Sequence, residues 1–153
     1  MNIGDLAKRL HNFLEGEGCT IQIGHGKTPE ITATDATTGL NFIFSLPGDN
    51  TDPVEDPGVE LQVTLPLVSW NEIKPDSIET VKDFLACQET LPCSANSLGY
   101  VKGPDGKPAR ISLSGSTGLQ SMTGEDEQDV KLLIQSLALD STDALVVMQD
   151  HLG

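Results

Sequence analysis

The sequence predicts an α+β domain, an antiparallel sheet with N-terminal, middle and C-terminal helices packed on one face. Three observations predict it. Apolar residues recur every three or four positions in residues 3–14, 77–88 and 125–152, the spacing of one helix face. Between these segments the period falls to two, the spacing of a strand with one buried side. The alternating segments are joined by turn-forming residues, so neighbouring strands form hairpins and run antiparallel. The 153 residues fit a single domain, residues 1–153.

The first helix carries Ile3, Leu6, Ala7, Leu10, Phe13 and Leu14 on one face, and Gly16 and Gly18 stop it. Strands are then expected at 19–24 (CTIQIG), 30–35 (EITATD), 40–46 (LNFIFSL) and 59–65 (VELQVTL). Asp35-Ala-Thr-Thr-Gly39 reads as a hairpin turn. Residues 47–58, PGDNTDPVEDPG, hold four acids and three prolines and are expected to form a mobile, solvated acidic loop.

The middle helix, 77–88, carries Ile78, Val81, Phe84 and Leu85, with Asp76 or Ser77 as its cap. Strands follow at 98–102 and 109–115, joined by Gly103-Pro-Asp-Gly-Lys-Pro108, a strong hairpin signal. Residues 125–152 are helical, with acids at 125, 126, 127 and 129 in the first turn, where they favour the helix dipole. Asp140-Ser-Thr-Asp143 leaves open whether this is one helix or two. The expected order is α-β-β-β-β-α-β-β-α.

Composition narrows the function classes. The formal net charge is −14, from 9 basic and 23 acidic residues. Such a surface repels phosphate backbones and anionic lipid, so nucleic acid and membrane surface are poor partners and a basic protein segment fits better. No stretch approaches the length of a membrane span, and the first residues have no signal-peptide core. Three cysteines at 19, 87 and 93 do not make a paired framework, which places the chain in a reducing cytoplasm.

The candidate motifs resolve into ordinary structure. GHGKT (24–28) looks like the end of a phosphate-binding loop, but Ile21 stands where the first Gly is needed and Pro29 and a strand follow the Lys. DNTDPVED (49–56) clusters carboxylates, but its prolines break the alternate spacing of a calcium loop. His11, His25 and His151 are scattered, and there is no G-x-S-x-G elbow. Glycines in GSTG (115–118) are expected to turn the last strand toward the last helix. Cys87 and Cys93 are separated by five residues, too many for C-x-x-C redox chemistry, and zinc would need two further ligands. They are read as core or turn cysteines, with Pro92 ending the helix. No catalytic, cofactor-binding or metal-ligating residue is assigned.

The layout and acidity resemble class I type III secretion chaperones, small acidic homodimers that hold an extended segment of a secreted partner. One early strand, 30–35 or its neighbour, is additional. At the sequence level FLACQETLPCSANSLGYV, ISLSGSTGLQSMTGEDEQDVKLLIQSL and DALVVMQDHL resemble the YjfI-like uncharacterised bacterial family. Leu91-Pro92-Cys93-Ser94 matches its helix-to-strand turn, with Cys93 in a usually apolar place, and Leu113-Ser114 matches its strand end. That family implies a PspA-linked membrane-stress assembly.

The expected function is therefore a non-enzymatic protein-binding module, and a homodimer, which the resemblance implies and which also fits three amphipathic helices that cannot all cover one face of a small sheet without leaving apolar surface. The rivals are a subunit of the PspA-linked assembly and a small enzyme with an unrecognised site. An extended partner can add to a sheet edge or lie on an apolar face. Leu40, Phe42, Phe44, Leu61 and Val63 offer such a face only if the helices leave them uncovered; otherwise they are core.

Overall fold

The computed structural model describes residues 1–24, 26, 28–87 and 96–152, the side chains of Phe84, Ala86 and Cys87 excepted. The element order is α1 (Ile3–Gly16), β1 (Cys19–Ile23), β2 (Glu30–Asp35), β3 (Asn41–Ser45), β4 (Val59–Ser69), α2 (Ile78–Cys87), β5 (Ser97–Lys102), β6 (Pro108–Leu119) and α3 (Gly124–Met148). This is the α+β order read from the sequence. The strands form a six-stranded antiparallel sheet in the order β1-β2-β3-β4-β6-β5, which leaves β1 and β5 at its edges.

The chain divides into two compact units, Met1–Thr64 with Ser116–Gln135, and Leu65–Gly115 with Ser136–Gly153. In the first unit α1 lies against β1 and buries Ile3, Leu6, Leu10 and Leu14. The i, i+3/i+4 spacing puts these four on one stripe, and full burial of each stabilises by roughly 1.5–3 kcal/mol. Asn2 caps the helix: its Oδ1 accepts the Asp5 N–H at 2.8 Å, and Asp5 Oδ2 accepts the Asn2 N–H at 3.1 Å. Ile31, Ala33, Phe42, Phe44, Leu61 and Val63 supply the sheet's share of this core.

In the second unit α2 lies against β5. Val81, Leu85, Leu98, Ile111, Leu113 and Leu137 are buried here. Asn96 ties the start of β5 to α3, donating to Ser136 Oγ at 2.8 Å and to Asp140 Oδ2 at 2.6 Å.

Four expectations are sharpened or changed. The acidic loop is largely exposed, as expected, and is also tied to α1: the N–H groups of Ile3 and Gly4 donate to the carbonyls of Asp52 and Asn50, both at 2.8 Å, and the Val54 N–H donates to Met1 at 3.1 Å. The loop satisfies free donors at the start of α1, which the sequence pattern does not encode. GSTG lies inside β6, which continues to Leu119; the turn toward α3 is made by residues 120–123. β4 continues past Leu65 to Ser69 and includes Pro66. Pro75–Ser77 forms a 3-10 turn leading straight into α2 in place of a simple cap. The 125–152 question also closes: α3 is unbroken to Met148, and a 3-10 turn follows at Gln149–His151. The turn Leu91-Pro92-Cys93-Ser94 lies outside the described residues.

Candidate partner-binding edge

The alternating strand residues take the core alternative and offer no open partner face. Phe42, Phe44, Leu61 and Val63 are each at most 2% exposed and form core. Leu40 is half-buried, just before β3. The open apolar surface lies instead at the edge strand.

β1 pairs with β2 in an unbroken register, Cys19 opposite Asp35, Ile21 opposite Ala33 and Ile23 opposite Ile31. The Gly24 N–H donates to the Glu30 carbonyl at 2.8 Å. In an antiparallel ladder the bonded pairs alternate, so Thr20 and Gln22 point their backbone groups at β2. Cys19, Ile21 and Ile23 therefore point theirs away from the sheet. Edges of this kind are templates for another strand unless guarded by charge, proline or a bulge. CTIQI has no charged residue, no proline and no register shift. The other edge strand, β5, has a register shift at Val101/Lys102 and ends on a lysine.

The side chains agree with the backbone. Ile23, Ile31, Phe44 and Val63 form one cross-strand row on the buried face of the sheet. Phe44, Val63 and Ile31 are no more than 4% exposed, whereas Ile23 is 58% exposed. The row runs out of cover at its edge residue. Beside Ile23, a cleft of about 440 Å³ is walled by Asp5, Lys8 and His11 of α1, by Glu30 and Ile31 of β2, and by Asn50 of the acidic loop. The loop that fixes the start of α1 thus also forms a wall of the cleft.

Of GHGKT, the described residues Gly24, Gly26 and Thr28 stand between β1 and β2, and a strand follows them. Gly26 lines the cleft, while His25 and Lys27 lie outside the described residues. Among the described residues no three of His, Cys, Asp and Glu gather as a metal-binding group. No helix among them is long and apolar enough to cross a membrane.

No family model matches the chain, and no curated protein matches it in sequence. Among solved structures it is similar to YbjN from E. coli, described as a proposed transcription regulator, with a TM-score of 0.54 and 14% identity over 99% of this chain and 98% of that one. The likeness is one of fold.

The remaining candidate chemistry is weak. Cys19 is free and half-buried at the far end of β1. Burial, and then the Asp35 and Glu17 carboxylates, raise its pKa above the ordinary thiol value. Such a thiol is a poor nucleophile at neutral pH. His11 lies 3.3 Å from Glu15 on the same helix face. Sequence reasoning missed the edge because alternation reveals which face a residue occupies but not which strand ends the sheet; the lack of charge in CTIQI was the one available signal.

Proposed function

We propose that this chain is a non-enzymatic protein-binding module that receives an extended, basic segment of a partner along β1, and that it works as a cytoplasmic homodimer. The exposed Ile23, at the open end of an otherwise buried row, carries this reading. An added strand would use the outward N–H and C=O groups of Ile21 and Ile23 and cover Ile23 with its own apolar side chains. The net charge of −14 favours a basic segment and opposes direct contact with a phosphate backbone. A regulator of transcription with this fold would on that ground act through protein contacts. Uptake of an extended segment is also what resemblance to the type III secretion chaperones implies.

A ten-residue peptide alternating Lys and Val tests the reading by fluorescence anisotropy. Binding is expected for the wild-type chain and not for the matching Glu-Val peptide. Ile21→Pro removes an outward donor without touching the β1–β2 ladder, so it should weaken binding about tenfold or more while the chain stays folded. Equal binding by folded Ile21→Pro contradicts the reading.

A further inference from the structure

The first unit holds a second cleft, of about 170 Å³, toward the C-terminal end of α1. Phe13 and Leu14 of α1, Ala33 of β2, Phe42 and Phe44 of β3 and Ile134 of α3 line it. Leu14, Ala33, Phe42 and Phe44 are each at most 2% exposed, while Phe13 and Ile134 are half-buried. The apolar lining therefore runs from the core to the surface. An apolar cavity of roughly 150 Å³ has room for a benzene ring, and phenylalanine walls favour an aromatic occupant.

The rest of the lining is polar and lopsided in charge. Lys131 Nζ lies 3.7 Å from Glu17 Oε1, so these two neutralise each other. Asp35 makes no ion pair among the described residues. Its oxygens accept the Thr37 N–H at 3.1 Å and the Thr38 hydroxyl at 2.9 Å, which orient the carboxylate and leave its charge in place. Cys19 stands opposite Asp35 in the β1–β2 register. Burial first, and then Asp35 and Glu17, raise the Cys19 pKa, so the thiol stays neutral and adds no charge to this wall.

We infer that this cleft binds a small organic ammonium ion, with its compact apolar body against Phe42, Phe44 and Ile134 and its charge toward Asp35. Both parts of the lining select this class. The apolar wall cannot replace the water shell of an inorganic ion. The unpaired carboxylate repels an organic anion. A neutral ring fits the wall but leaves Asp35 without a counter-charge. The site is separate from strand addition along β1 and does not rest on it.

Benzylammonium chloride is the probe, followed by amide NMR shifts of the full chain. A dissociation constant on the order of 1 mM is expected for a ligand of this size, with the largest shifts at Ala33, Phe42 and Ile134. Benzyl alcohol, which has the shape without the charge, should bind about three- to tenfold more weakly, and benzoate more weakly still. Asp35→Asn keeps an acceptor for the turn and should bring benzylammonium down to the level of benzyl alcohol, while leaving the alcohol unchanged. Ile134→Trp, at the half-buried end of the lining, fills the cleft and should remove both. Equal binding of benzylammonium and benzyl alcohol to the wild-type chain overturns the assignment of a cation. Shifts that avoid the cleft, or binding that survives in folded Ile134→Trp, overturn the site. Binding of Nα-acetyl-lysine amide as tight as that of benzylammonium overturns the assignment of a free amine in favour of a lysine side chain.

Discussion

The Met122 N–H donates to Asp126 Oδ2 at 2.8 Å, and the N–H groups of Gln120 and Ser121 donate to the same oxygen, both at 2.9 Å. One carboxylate at the start of α3 thus organises the turn out of β6, and Met122 adopts a positive φ of 55° to reach it. Arg9 of α1 donates to the Ser121 carbonyl at 2.9 Å and fastens the same turn from the other side.

Burial works against the Asp126 charge, but the three backbone donors outweigh it and hold its pKa below the ordinary aspartate value. A carboxylate depressed on folding stabilises in full above its unfolded value near 3.9, and that stabilisation is lost as pH falls through the folded value. Asp126→Asn should therefore lower stability by about 1 kcal/mol at neutral pH. The gap between variant and wild type, read from urea midpoints, should close in acid. A gap that persists unchanged at low pH would show that the charge is not what organises the turn.

Gly58 is the glycine whose replacement the fold tolerates least. Its φ is 122°, and a Cβ built there would overlap the Leu119 carbonyl oxygen. Neither atom is at the end of a flexible side chain, so the backbone must move. Gly58→Ala should lower stability by roughly 2–4 kcal/mol, a large single-residue effect. Thermal melts check it, with Gly39→Ala as the comparison, since nothing lies within 4 Å of a Cβ there.

Ser112 is 3% exposed, and its hydroxyl has no hydrogen-bond partner among the described residues. A buried hydroxyl without a partner is destabilising, and removing it relieves the penalty. Ser112→Ala should leave the melting temperature unchanged or raise it. A clear drop would reveal a partner for the hydroxyl.

The fold was legible because each element has a strong local period: Leu6, Leu10 and Leu14 mark α1, and Phe42 and Phe44 mark β3. The element ends were less so. Pro66 and the glycines at 115 and 118 look like breakers, yet β4 and β6 run through them because pairing across the sheet outweighs local preference. The candidate edge was not legible at all from periodicity. Ile23 and Ile31 carry the same signal in sequence, and only strand order separates the 58% exposed residue from the 4% exposed one.

Cys87 closes α2, and Cys93 lies outside the described residues. The spacing of the two cysteines argues against thiol chemistry, so replacing both with Ala or Val should leave affinity for the Lys-Val peptide within about twofold and reduce stability by at most about 1–2 kcal/mol. Titration of the folded double variant checks this. Loss of binding there would restore a functional role for the pair.

The most direct measurement is amide hydrogen exchange along β1, read residue by residue by NMR with and without the Lys-Val peptide. The outward N–H groups of Ile21 and Ile23 should exchange freely in the unbound chain and become protected on binding, while Thr20 and Gln22, already donating to β2, should change little. Protection confined to Ile21 and Ile23 is the result that strand addition predicts. Binding that leaves both amides unprotected would contradict it.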